Sequence, residues 1–210
     1  MNLICKIKFV KATSLFILSL LGSLGCATPQ KATWMAPVQS EEYPLDNESR
    51  KYSGKTKCPV MLLVDYEGTT IPYASPVKVN PFFREKLIHF ELLVAEVGKR
   101  TMGVAPAKLH HMGTLNCRPI RGGNTLSEHA FANAIDVSGF TFNLPNGQSK
   151  TFYVKRDWFG NGAVFFAELT RALASRPDIF RIILGPGNQG HDDHLHLDMS
   201  PSRYIDVLIP

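Results

Sequence analysis

The chain has 210 residues, of which 44% are hydrophobic and 20% charged, and carries a formal net charge of +5. That is enough for one globular domain with a real core plus appendages, and it excludes general disorder, collagen and a multi-span membrane protein. Without the N-terminal Lys6, Lys8 and Lys11 the charge falls by three, from +5 to +2, and no dense basic patch with interleaved aromatics exists, so nucleic-acid binding is excluded too.

The chain starts with a basic segment, "MNLICKIKFVK", followed by a short apolar run, "ATSLFILSLLGSLG". A positive region before a short apolar stretch is the pattern of a secretory signal, assigned here to residues 1–25. The run is shorter than the ~20 residues a membrane span needs, which argues against the alternative, an uncleaved signal anchor. "SLGC" resembles a bacterial lipobox with Cys26 as the lipidated residue, although Ser23 and Leu24 stand in the reverse of the usual order. The expected location is the periplasm. Lipidation of Cys26 would make the protein a lipoprotein, and Ala27 would then favour the outer membrane; ordinary cleavage would give a soluble form. The only membrane contact expected is this N-terminal lipid. Cys5 leaves with the signal and Cys26 would be consumed by lipid, so Cys58 and Cys117 remain in an oxidising compartment. A disulfide between them is the natural reading, closing a loop of about 60 residues for roughly 4 kcal/mol, with two unpaired buried thiols as the alternative. Neither belongs to a C-x-x-C pair, which makes both poor zinc ligands.

Residues 26–57 are polar, rich in Pro and Ser and without periodicity, and read as a tether; the domain is expected over 58–210. "CPVMLLVDYEG" gives a β-like first element. "NPFFREKLIHFELLVAEVGKR" predicts a helix, with Phe83, Leu87, Phe90 and Val94 as its core stripe and Asn80-Pro81 as its start. A strand is expected in "VAPAKLHHMGTLNCRPI", and "NAIDVSGFTF" and "SKTFYVKRD" predict a hairpin across "LPNGQ". "GNGAVFFAELTRALASRPD" predicts a second helix, "IFRIILGPG" a strand and "DHLHLDM" the last strand. The order is α+β: one domain with a small antiparallel sheet and flanking helices.

Two clusters carry chemistry, "LSEHAFANAIDV" and "HDDHLHLDMS". On a strand, His194 and His196 project from the same face roughly 7 Å apart, so one can ligate a metal while the other stands beside it. His129, Asp136 and His196 would supply two imidazoles and a carboxylate to one zinc per chain, leaving a fourth position open for water. His194 would then act as general base. Asp192 reads as loop solvation, Asp198 as a supporting or strand-end residue, Glu128 as exposed, and adjacent His110 and His111 as structural.

"SEHAFANAID" with "HDDHLH" resembles the zinc peptidase group of lysostaphin-type endopeptidases, D-Ala-D-Ala carboxypeptidases and the hedgehog domain. "CRPIRGGNTLSEHAFANAIDVSGF" and "LGPGNQGHDDHLHLDMS" resemble the bacterial extensin-like C-terminal domain family, over about residues 58–200. The resemblance implies a zinc cleft on the sheet, His129, Asp136 and His196 as ligands and His194 as the catalytic histidine. It implies His191 as the extra histidine of an H-x-x-H-x-H site of the murein endopeptidase kind, Ser127 as a substrate-holding serine, and Arg118 or Arg121 facing the substrate. Ala132 stands where the pattern has Gly, and Asp193 where the carboxypeptidases have a Glu base. The expected function is zinc-dependent hydrolysis of amide bonds in peptidoglycan peptides, of D,D-carboxypeptidase or endopeptidase type. The alternative is a non-catalytic peptidoglycan- or protein-binding module on the same fold.

Overall fold

The computed structural model describes residues 30–34, 42–52, 54 and 57–210; the expected signal, Cys26 and part of the expected tether lie outside them. Among the described residues the elements run β1 (Gln30–Trp34), β2 (Val64–Tyr66), β3 (Val77–Val79), α1 (Pro81–Met102), β4 (Lys108–Gly113), β5 (Ala134–Asn143), β6 (Ser149–Tyr153), α2 (Val154–Asp157), α3 (Ala163–Ala174), β7 (Ile182–Leu184), β8 (Leu195–Asp198) and β9 (Tyr204–Ile209). A single 3-10 turn, Glu128–Phe131, precedes β5.

Helix α1 forms where its stripe requires it. The Asn80 side chain accepts from the Phe83 N–H at 2.8 Å, Pro81 opens the first turn, and Gly103 closes the helix in the left-handed region at φ 76°. Phe83, Leu87, Phe90 and Val94 are wholly buried, as the stripe predicts. Phe180 packs its ring on Phe83 and Phe90, and Phe165 of α3 packs on Phe140 and Phe142 of β5. Burying each such side chain contributes about 1.5–3 kcal/mol.

The sheet has the order β1-β9-β7-β8-β5-β4, with β6 also paired to β5, while β2 and β3 form a separate two-stranded pair. It is larger than the expected small sheet and not wholly antiparallel, because β9 runs parallel to β7. Strand β5 organises it. One edge carries β4 along its length; the other carries β8 on the first half and β6 on the second. The expected hairpin is β5–β6, although "VKRD" turns into the short helix α2. A bulge in the β4–β5 register lets Ile135, Val137, Phe140 and Phe142 all stay in the core. The intervening Asp136 therefore faces away from it.

Two expectations need correction. "DHLHLDM" is followed by one more strand, β9, in "YIDVLI". The segment read as a tether is also partly built into the domain: β1 pairs with β9, and Tyr43 and Leu45 are buried in the core. Its polar residues have specific partners. Tyr43 donates to Asn133 at 2.6 Å, the buried Arg181 pairs with Asp46 at 2.5 Å, and Arg50 pairs with Glu128 at 2.6 Å. The first strand expected in "CPVMLLVDYEG" is shorter than its apolar run, with Val60 and Leu62 exposed and only Val64–Tyr66 paired.

Candidate metal centre

Three local structures bring the two sequence clusters together. Ser127 caps the 3-10 turn, its hydroxyl accepting from the His129 N–H at 3.4 Å. Ala132 ends the turn at φ 48°, a left-handed conformation that costs a residue with a Cβ roughly 1–2 kcal/mol. Asp136 in β5 stands directly opposite His196 in β8. His129 Nε2 lies 3.2 Å from Asp136 Oδ1 and 3.2 Å from His196 Nδ1, which is itself 2.9 Å from Asp136 Oδ1.

The outer nitrogens decide what these inner atoms can do. His129 Nδ1 lies 3.1 Å from the Thr114 carbonyl, which can only accept, so Nδ1 carries the proton and Nε2 a lone pair. His196 Nε2 donates to Asp198 Oδ2 at 2.8 Å, turning Nδ1 inward. Two imidazole nitrogens and a carboxylate oxygen thus converge with no built-in donor among them unless His196 holds a second proton. That arrangement calls for a cation. In the metal-free protein a proton fills the role. Burial alone would lower the His196 pKa, but its bonds to Asp136 and Asp198 raise it to about 9. Burial would likewise raise Asp136, yet its neighbours His129 and His196 hold it well below the usual carboxylate range. These three residues form a group able to hold a metal ion.

His194 stands beside the group, with Nε2 3.5 Å from Asp136 Oδ1 and Nδ1 2.8 Å from Asp193 Oδ1. The His191 ring lies 5.0 Å from that of His194 and 5.7 Å from that of His196. Burial and those two neighbours lower its pKa to about 4. His129 is buried, while Asp136, His191, His194 and His196 line a cleft of about 790 Å³. Its floor is the outward face of β7 and β8, where Ile182 and Leu184 alternate with the buried Ile183. One wall is Arg118 to Ser127; the other is Asn188 to His191 with Tyr204.

The model of the extensin-like protein C-terminus family matches residues 35–206. The chain belongs to this family. No curated protein matches it significantly. The matched span begins well before residue 58, in keeping with the packed N-terminal segment of this extensin-like domain.

Within the extensin-like domain, His129, Asp136, His191, His194, His196, Ser127, Arg118 and Arg121 all line the cleft or its metal group. Arg118 and Arg121 are both exposed on one wall. His110 and His111 are structural, bonding Thr141 and Ser75 outside the cleft. Asp192 is exposed. Glu128 corrects its expectation: it is buried, accepting from Arg50 and, at 2.6 Å, from Asn133. Sequence reasoning missed Arg50, Thr114 and the Asp193–His194 bond. Thr114 contributes a backbone carbonyl, for which no side-chain signal exists. On a strand Asp193 would point away from His194, but β8 begins only at Leu195, and from the preceding turn the Asp193 carboxylate reaches His194 Nδ1. Cys58 and Cys117 form the expected disulfide.

Proposed function

We propose that this protein is a zinc-dependent peptidase of the bacterial cell envelope that hydrolyses amide bonds in peptidoglycan stem peptides or cross-links. The observation that carries this reading is the convergence of His129 Nε2, Asp136 Oδ1 and His196 Nδ1 beside the ring of His194, in an open cleft. Two imidazoles and one carboxylate are the donor set of many catalytic zinc sites, and both outer nitrogens have the partners that such ligands need. The resemblance of "SEHAFANAID" and "HDDHLH" to lysostaphin-type and D-Ala-D-Ala peptidases points the same way. So does an N-terminus that reads as an export signal, since it would put the domain where peptidoglycan lies.

His129, Asp136 and His196 would hold the zinc. When bound, zinc lowers the pKa of water towards neutrality and polarises an amide carbonyl. The protein's own residues do the remaining work. His194 Nε2, facing the cleft, takes a proton from the attacking water and returns it to the leaving amine nitrogen, so no covalent intermediate forms. Thr114 and Asp198 keep both ligand imidazoles in one tautomer. His191, neutral near pH 7, lies against the His194 ring without adding positive charge. The exposed Arg118 and Arg121 on the cleft wall suit a substrate bearing carbonyl or carboxylate groups.

The test is metal content followed by digestion. One zinc per chain, lost in Asp136→Ala but retained in His194→Ala, with release of peptides from purified sacculi that a chelator stops, is the expected result. A zinc-loaded protein that leaves sacculi and their soluble peptides intact would favour a binding module instead.

A further inference from the structure

Each ring nitrogen of His194 faces a carboxylate. Nδ1 lies 2.8 Å from Asp193 Oδ1, and Nε2 lies 3.5 Å from Asp136 Oδ1. An ionised carboxylate only accepts, so each invites the single ring proton of a neutral imidazole to its own side. The outcome decides what His194 can do. With the proton on Nδ1, Nε2 presents a lone pair to the cleft and can accept a proton there. With the proton on Nε2, the nitrogen facing the cleft is already occupied and donates to a metal ligand. Free imidazole side chains in water favour the second form.

We infer that Asp193 is a positioning residue: its carboxylate holds the proton of His194 on Nδ1 and so keeps Nε2 open towards the metal group. Three observations support this. The Asp193 contact is of full hydrogen-bond length, while the Asp136 contact is at the limit of one. Asp136 Oδ1 already lies 2.9 Å from His196 Nδ1 and belongs to the group able to hold a metal ion, which weakens its claim on a further nitrogen. Finally, Asp193 lies in the turn before β8, where its backbone is free of strand alternation and the side chain can reach back to the next residue. The geometry is that of a carboxylate orienting a histidine, in which the acid fixes tautomer and ring plane without itself taking up the proton. The role differs from direct proton abstraction by the acid at this position. Asp193 is bonded to the ring at Nδ1, while the metal group lies nearest Nε2.

The inference rests on the peptidase reading for its purpose but not for its test. In zinc-supplied, 15N-histidine-labelled protein, long-range proton–nitrogen correlation should show His194 protonated at Nδ1 and bare at Nε2. In Asp193→Ala the proton should move to Nε2, and Asp193→Asn, whose amide donates to Nδ1, should enforce the same exchange. Because Asp193 is half exposed in a turn, neither change threatens the fold. A wild-type His194 protonated at Nε2, or an Asp193→Ala protein with the proton still on Nδ1, would overturn the inference. Activity gives a separate measure: kcat on a peptide substrate should fall about 100-fold or more in Asp193→Ala while KM stays unchanged. The tautomer is read without turnover, so failure of the peptidase reading and failure of this inference are told apart.

Discussion

His196 and Asp198 lie two residues apart on β8, both buried, with His196 Nε2 donating to Asp198 Oδ2 at 2.8 Å. The alternation of the strand puts both side chains on the cleft face, and that spacing allows one residue to orient the other. Asp198 Oδ1 is held in turn by the Ser200 N–H at 2.8 Å, which fixes the carboxylate. Removing the carboxylate frees His196 to rotate and to carry its proton on either nitrogen. Asp198→Ala should therefore weaken zinc binding about 10–100-fold while leaving all three ligands in place. Competition with a chromophoric chelator reads this directly, and an unchanged affinity would mean that Asp198 serves the strand rather than the metal.

The same bonds make metal-free stability depend on pH. His196 has a folded pKa of about 9 against an ordinary 6.5. A raised pKa means that its contribution to stability is complete below 6.5 and is lost as pH rises through 9. His191, lowered from 6.5 to about 4, has the opposite sign, but that gain is nearly complete by about pH 7.5, above which it is neutral both folded and unfolded. The metal-free protein should lose thermal stability between pH 6.5 and 9. Zinc replaces the proton, so its apparent affinity should rise over the same interval and flatten the loss. Melting curves at several pH values, with and without zinc, test the sign; a metal-free Tm that rises towards pH 9 would contradict it.

The site was more legible than the fold around it. His129, Asp136, His194 and His196 stand out because few residue types ligate metals and their spacing within each cluster is short and fixed by local structure. The support around them is not local. Glu128 read as exposed because its partner, Arg50, lies 78 residues earlier in a segment whose composition suggests a tether. Nothing in "NESRKYSG" indicates that its arginine is buried against Phe131. Likewise, Val77–Val79 and Gln30–Trp34 are strands only through pairing with remote partners. Short segments without a hydrophobic run of their own carry too little pattern to announce this.

Arg50 gives the next prediction. Its guanidinium grips both oxygens of Glu128 at 2.6 and 3.2 Å, and Glu128 directly precedes His129. Burial pushes the Glu128 carboxyl up even with Arg50 in place, so the acid is poorly solvated. Arg50→Ala leaves that carboxylate buried without its cation, which should cost about 3–5 kcal/mol. Adding Glu128→Gln should recover a large part of the loss, because an amide needs no counter-charge. Urea denaturation of the two single variants and the double variant measures the coupling. Additive losses would show that the pair does not hold the N-terminal segment to the turn that carries His129.

The disulfide separates cleft shape from metal binding. Cys58–Cys117 spans 59 residues and anchors the wall that carries Arg118, Ile120 and Arg121. Beyond Cys117 that wall is tied by backbone bonds, among them Ile120 N–H to Thr125 O at 2.8 Å, Gly123 N–H to Ile120 O at 3.0 Å, Leu126 N–H to Arg50 O at 2.7 Å and Ser127 N–H to Arg118 O at 3.1 Å. The three candidate ligands have other supports. Asp136 and His196 are paired across two strands, and His129 rests on Thr114, whose hydroxyl is tied to the Lys78 carbonyl at 2.6 Å. A Cys58→Ser, Cys117→Ser double variant should lose about 4 kcal/mol, from the larger entropy of its unfolded chain. Its zinc affinity should stay within a few-fold, while ligands that reach the Arg118–Arg121 wall should bind more weakly, because a loose wall must be ordered on binding. Calorimetric titration with zinc and then with a peptidoglycan peptide distinguishes the two effects. Parallel loss of both affinities would show that the disulfide also holds the His129 turn, which the bonds through Thr114 argue against.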